Sequence, residues 1–244
     1  SRSAPRATTA ANRRLGAEEQ ALRTAQDAWE RIFRHNDAAH VPAEWVAGFY
    51  GLYALAQKTF GVNWLLLASI HRQETAFSTA GSTYHGLNWV HCCAGPMQFN
   101  VTNGVISTWD KYKLAYRLAS RPAGYPHETE HHPSVYDDFD AIMAAASMLR
   151  SDGAGAGLDQ AAWNAAYLYY GGSLEGVDYA NEVLARAIGW SQHGFSANTP
   201  VDRSLVESVH AAWGEPVRRE LVKEQREADE AAGHEPATTA PVAR

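Results

Sequence analysis

Gly61-Val62-Asn63-Trp64-Leu65-Leu66-Leu67-Ala68-Ser69-Ile70-His71-Arg72-Gln73-Glu74-Thr75-Ala76-Phe77 decides the fold class. It reads as one helix, because Leu67, Ile70, Glu74 and Phe77 recur at helical spacing on a single stripe. Asn63 stands in front of it as the capping residue. A carboxylate on an apolar stripe loses hydration, which disfavours its charged form and raises its pKa. A raised pKa is what a general acid working near neutral pH requires. The ordinary alternative for a glutamate is a helix-edge position from which the carboxylate reaches water.

The same helical pattern extends on both sides. Upstream, Leu22, Ala25, Trp29, Ile32 and Phe33 share one face, and a second helix starts at Pro42, a residue favoured in a first turn. That second helix carries Trp45, Phe49, Leu52, Ala56 and Phe60 and stops before Gly61. Downstream, residues 78–96 read as loop, as do residues from about 119 to 137. Asp137 or Asp138 then caps an alanine-rich helix ending near Gly153, whose small side chains suit close helix packing. Asp159 is expected to cap the next helix, and Asp178 the one holding Val183, Leu184 and Ile188. A last amphipathic helix uses Leu205, Val206, Val209 and Trp213, with Pro216 interrupting it. No strand pattern of useful length appears, so the expected class is all-α.

Two further segments carry chemistry. Ala94-Gly95-Pro96-Met97-Gln98-Phe99 follows the Glu74 helix by about twenty residues, then Ser107-Thr108-Trp109. Farther on come Ala141-Ile142-Met143-Ala144-Ala145-Ala146-Ser147-Met148-Leu149-Arg150, then Leu168-Tyr169-Tyr170-Gly171-Gly172, then Tyr179-Ala180-Asn181-Glu182-Val183-Leu184. In this order, over roughly residues 60 to 190, the chain resembles the catalytic domain of lytic transglycosylases and goose-type lysozymes. These enzymes cleave the glycan strands of bacterial peptidoglycan. The family helix, roughly Gly-x-x-x-x-Leu-Leu-x-x-Ile-x-x-x-Glu-Ser-x-Phe, stands here as Gly61, Leu66-Leu67, Ile70, Glu74-Thr75 and Phe77. The family's Met-Gln-Phe loop stands as Gly95 to Phe99.

The resemblance implies a lysozyme-like helical domain over 61–192. Residues 15–60 would be N-terminal helices packing on it, 193–231 a helical extension, and 1–14 and 232–244 disordered tails. It implies Glu74 as general acid and base, with Gln98, Met97, Phe99, Tyr169, Thr75, Trp89 and Tyr84 binding substrate. Gln98 would hydrogen-bond an N-acetyl group or a sugar hydroxyl. Tyr169 matches the family tyrosine that hydrogen-bonds the catalytic carboxylate, although Tyr170 replaces the asparagine beside it and Tyr167 competes for the role. Trp89, Tyr84 and Trp109 could stack on sugar rings, although a mid-helix tryptophan such as Trp109 is more often core. The implied reaction cuts between N-acetylmuramic acid and N-acetylglucosamine and leaves a 1,6-anhydro end. It needs no cofactor and no metal. Were Asp137, Asp138 or Asp140 to reach the cleft, they could activate water and give a lysozyme-type hydrolytic end. A wall-binding or scaffold module without chemistry is the alternative from another class.

Composition narrows the rest. The chain has 244 residues, 45% of them hydrophobic, enough for a sizeable core. A net charge of -6 without any basic stripe argues against nucleic acid. It also gives no electrostatic help toward an anionic wall, so binding would rest on a shaped cleft. No apolar run is long enough for a membrane span. The resemblance implies an extracytoplasmic location, although Ser1 to Arg14 lacks the apolar core of a signal peptide. The terminal helices could dock on a partner in an envelope assembly. The two cysteines, Cys92 and Cys93, are adjacent and form no framework; they stay reduced or close on each other. His127-Glu128-Thr129-Glu130-His131 formally matches the His-Glu-x-x-His of zinc peptidases. That chemistry needs both histidines on one face of a helix, and Pro126 and Pro133 leave barely two turns. A solvated histidine-rich loop is the expectation there, with metal binding by His127, His131 and His132 the lesser one.

Overall fold

A computed structural model describes residues 39–102 and 107–232. The helix expected around Leu22 to Phe33, the 1–14 tail and all of the 232–244 tail but Ala232 lie outside the described residues. What is described is mostly helical, and the expected all-α class holds. The only sheet among these residues is a pair of two-residue antiparallel strands, β1 (Cys93–Ala94) and β2 (Phe99–Asn100).

Helix α1 (Ala43–Phe60) follows Pro42 and ends at Gly61, whose left-handed φ of 73° lets its N–H return to the Gln57 carbonyl. Val46, Phe49, Leu52, Tyr53 and Ala56 are buried, close to the expected stripe, with Trp45 and Phe60 at its half-buried margins. Burying a large side chain such as Phe49 or Leu52 stabilises the fold by roughly 1.5–3 kcal/mol. Helix α2 (Trp64–Thr75) is capped by Asn63, whose side chain accepts from the Leu65 N–H. It stops two residues short of the expected Phe77, because Ala76, Phe77 and Ser78 all adopt positive φ (50°, 55° and 65°). Left-handed backbone costs a residue with a Cβ roughly 1–2 kcal/mol, so tertiary contacts must hold this exit. Trp45 Nε1 donates to the Phe77 carbonyl at 2.7 Å, and Ser78 Oγ lies 2.7 Å from His71 Nε2.

After the short α3 (Thr108–Tyr112) and a 3-10 turn (Lys113–Leu118), the chain runs irregularly to α4 (Asp138–Ser151). Asp137 caps α4, accepting from the Asp140 N–H. This helix is buried on nearly every side: Ala141, Ile142, Met143, Ala144, Ala145, Ala146 and Leu149 have no exposure. The run of alanines admits α1 and its other neighbours at close range.

Helix α5 (Gln160–Tyr170), capped by Asp159, turns through Gly171-Gly172 into α6 (Leu174–His193). The cap of α6 is Ser173, whose hydroxyl accepts from the Gly176 N–H, and not Asp178, which lies inside the helix. The glycine pair ends α5 at once, and Ser173 is the first capping side chain after it. α7 (Arg203–Val209) passes through a π turn (His210–Gly214) into α8 (Glu215–Ala231), with Pro216 in the first turn of α8. The chain stays helical throughout, and Glu215 N–H reaches back to the His210 carbonyl, so the expected interruption by Pro216 takes the form of a π turn just before it.

Candidate active site

Glu74 occupies the last turn of α2 and is half-buried. Val183 O receives the Ser69 hydroxyl at 2.7 Å, and Arg186, almost wholly buried on α6, donates to Gln73 Oε1 (2.8 Å) and Ser69 Oγ (3.2 Å). Gln73 Nε2 in turn donates to Glu182 Oε2. These bonds fix the register of α2 against α6, and in that register the Tyr179 hydroxyl donates to Glu74 Oε1 at 2.5 Å. Burial pushes the Glu74 carboxyl up from 4.5 to about 7, against the Tyr179 hydrogen bond, which pulls the other way. Burial also drives the Tyr169, Tyr170 and Tyr179 hydroxyls well above their usual range, and the nearby Glu74 charge adds to it. The tyrosines therefore stay neutral donors beside the carboxyl.

The segment after β1 forms the neighbouring wall. Thr75 Oγ1 donates to the Pro96 carbonyl at 2.8 Å and Tyr169 OH to the Met97 carbonyl at 2.6 Å. Gly95 has φ 78°, and a Cβ there would fall 1.9 Å from the Val135 carbonyl oxygen, so only glycine fits. Cys92 and Cys93 are joined to each other as a disulfide, settling the two alternatives left by the sequence. Asn88 frames the pair: its N–H donates to the Cys93 carbonyl, and its side-chain oxygen accepts from the Cys92 N–H.

The expected substrate residues divide sharply by exposure. Thr75, Met97 and Phe99 keep 1%, 0% and 2% of their surface, so their side chains form the floor and do not reach a ligand. Thr75 instead ties the Glu74 turn to the loop, and Phe99 packs on Trp109 and Tyr169. Tyr169 lies near Glu74, but its hydroxyl is spent on Met97, and the bond to the carboxylate is made by Tyr179. Gln98 is half-buried at positive φ, with its amide folded back onto the Gly95 carbonyl. Tyr84 has one ring face stacked on His127 at 3.8 Å and its hydroxyl on Asp138, which leaves it poorly placed for sugar stacking. Trp89 is 43% exposed on the 78–96 loop. Trp109 is half-buried against the core, in line with its second reading.

The three aspartates are wholly buried and engaged away from Glu74. Asp137 accepts from Tyr125, Thr129 and the Asp140 N–H. Asp138 accepts from Tyr84 and the His127 N–H, and burial raises its carboxyl to about 8. Asp140 accepts from His132 and the Ser134 N–H. The His127–His131 segment is not helical, so its histidines do not share a helix face, and His127 Nδ1 is held at 2.8 Å from the Tyr136 carbonyl. The peptidase arrangement is absent.

Sequence reasoning missed Tyr179 and Arg186. Their signal was available: Tyr179, Val183 and Arg186 share one face of α6, and two polar side chains on a buried stripe mark an internal network. No protein-family model matches the chain, and no curated protein or solved structure matches it either. The geometry itself offers one half-buried, protonatable carboxyl beside neutral phenols and a tightly packed loop.

Proposed function

We propose that this chain cleaves peptidoglycan glycan strands as a lytic transglycosylase, with Glu74 as both acid and base. The observation that carries this reading is the Glu74 carboxyl raised to about 7 and hydrogen-bonded by Tyr179. With Tyr179 donating to Oε1, the acidic proton resides on Oε2. Glu74 delivers it to the oxygen between N-acetylmuramic acid and N-acetylglucosamine as the bond to the anomeric carbon breaks. The substrate's own N-acetyl group stabilises the positive charge at that carbon. The Glu74 carboxylate then takes the proton of the C6 hydroxyl, which closes on the anomeric carbon and gives the 1,6-anhydro end. An intramolecular hydroxyl has an effective-concentration advantage over water. The engagement of Asp137, Asp138 and Asp140 elsewhere favours this route over hydrolysis, which needs a second carboxylate at the reacting centre. A disulfide between Cys92 and Cys93 suits the oxidising compartment in which peptidoglycan lies.

The test is mass spectrometry of muropeptides released from purified peptidoglycan, with Glu74→Gln as control. Products lighter by one water than reducing-end muropeptides, absent with the variant, are expected. Full-mass reducing ends would establish hydrolysis instead, and no release by the wild type would leave a binding module.

A further inference from the structure

His132, Asp137 and Asp140 stand apart from the Glu74 site, and their donor atoms lie within 4.8 Å of one another. His132 Nδ1 is 2.8 Å from Asp140 Oδ2 and 3.9 Å from Asp137 Oδ2. Both carboxylates are wholly buried, and the His132 side chain keeps 11% exposure. Among the described residues no lysine or arginine forms an ion pair with either aspartate. Two carboxylates thus share one imidazole in the protein interior. Buried charges are ordinarily paired or bound to a metal, because leaving them uncompensated is costly. A second observation points the same way: Asp140 Oδ1, on the carboxylate that faces His132, is buried without a hydrogen-bond partner. His132 Nε2 is likewise unpartnered.

We propose that His132, Asp137 and Asp140 form a divalent-cation site of the zinc or manganese class. Two carboxylates balance the charge of one such ion, with a neutral imidazole as third ligand. Bonds of about 2.0–2.2 Å in tetrahedral geometry place ligand atoms about 3.3–3.5 Å apart. The observed 2.8 and 3.9 Å straddle that spacing, so small side-chain rotations open the site. On binding, the ion takes Nδ1 and the ring proton passes to Nε2; the ion replaces the present His132–Asp140 hydrogen bond. An imidazole among three ligands fits zinc or manganese better than calcium, which takes six to eight oxygens.

The ion's role would be structural and does not rest on the proposed chemistry at Glu74. It would pin the irregular segment ending at Asp137 to the first turn of α4. Val135 lies in that segment, and its carbonyl is the atom on which Gly95 closes. The cation thereby supports the wall beside Glu74 without touching substrate.

The experiment uses the full chain stripped with a chelator, then titrated with Zn2+, Mn2+, Co2+ or Ca2+ by calorimetry and thermal unfolding. One equivalent of Zn2+ or Mn2+ should bind and raise the midpoint of unfolding, Ca2+ should do neither, and Co2+ should give visible absorption. His132→Ala should weaken binding by at least about tenfold, while His131→Ala should leave it unchanged. Should His132→Ala fail to fold, the His132 ring resonance of wild type answering to Co2+ decides the matter. Absence of binding, a ring that does not respond, or affinity that follows His131 instead of His132 overturns the proposal.

Discussion

At Glu74 one carboxyl links stability to the proposed activity. Its folded-state pKa of about 7 stands above the 4.5 of a solvated glutamate. Between those values the folded protein holds a proton that the unfolded chain has lost. Stability therefore falls as pH rises from about 4.5 to about 7, and the deficit is complete above that. Glu74→Gln keeps an acceptor for Tyr179 and removes the ionisation. It should match wild type at pH 4 and exceed it by about 2 kcal/mol at pH 8, allowing for partial exposure. Urea denaturation at the two pH values reads this directly; an equal stability at pH 8 would mean a well-hydrated carboxylate. The same variant should lose activity by roughly 10²–10⁴-fold or more. In wild type, turnover should decline above about pH 7 as the acid form is lost. Tyr179→Phe deletes the hydrogen bond that lowers the Glu74 pKa, so the alkaline limb of the pH–rate profile should move upward. A limb that stays in place would remove Tyr179 from the site.

Among the elements, the exit of α2 and the 95–99 loop carry the conformations that sequence periodicity could not show. Phe77 belongs to the helical stripe, yet the helix ends at Thr75, because Trp45, His71 and the buried Phe77 side chain hold residues 76–78 in left-handed backbone. Gly95 is where this arrangement is least forgiving. Gly95→Ala combines an unfavourable φ with a Cβ driven into the Val135 carbonyl, which is backbone and has little freedom to retreat. The expected loss is more than about 2 kcal/mol by chemical denaturation, and a stability near wild type would show that the loop can shift. Caps with a plain local pattern were legible: Asn63 and Asp159 serve as read, and of the pair Asp137 or Asp138 it is Asp137 that caps. Ser173 was not, since it owes its role to the Gly171-Gly172 break before it, whereas the interruption at Pro216 was legible from the proline itself. Glu74 was readable as a carboxyl on an apolar stripe. Its partner is Tyr179 and neither Tyr169 nor Tyr167, because which tyrosine reaches the carboxyl depends on how α6 is registered against α2, which Arg186 sets. Thr75, Met97 and Phe99 were readable as neighbours of the site, but their burial comes only from the packing of the loop on α5.

For the whole molecule, the described core runs without a seam from α1 to α6. Phe49 and Tyr53 of α1 pack edge-on against His71 of α2, and the Tyr53 hydroxyl lies 2.7 Å from His71 Nδ1. That hydrogen bond holds the same histidine whose other nitrogen secures Ser78 at the exit beside Glu74. Burial keeps His71 neutral, lowering its pKa to about 3, so the link persists at any pH well above that. The other end of the chain differs: α8 has no buried residue and meets the rest through half-buried Val217 and Leu221. No helix among the described residues is long and apolar enough to cross a membrane. The two ends should therefore respond oppositely to truncation. Removing residues 1–60 exposes the faces of α2 and α4 that α1 covers, and residues 61–244 should not reach a cooperative folded state. Removing residues 222–244 should shift stability by no more than about 1 kcal/mol and leave the proposed glycan cleavage unaffected. Circular dichroism melts of the two truncations decide it. A cooperative, active 61–244 fragment would make α1 an accessory helix, whereas collapse on loss of 222–244 would give the charged helix a structural role that its exposure does not suggest.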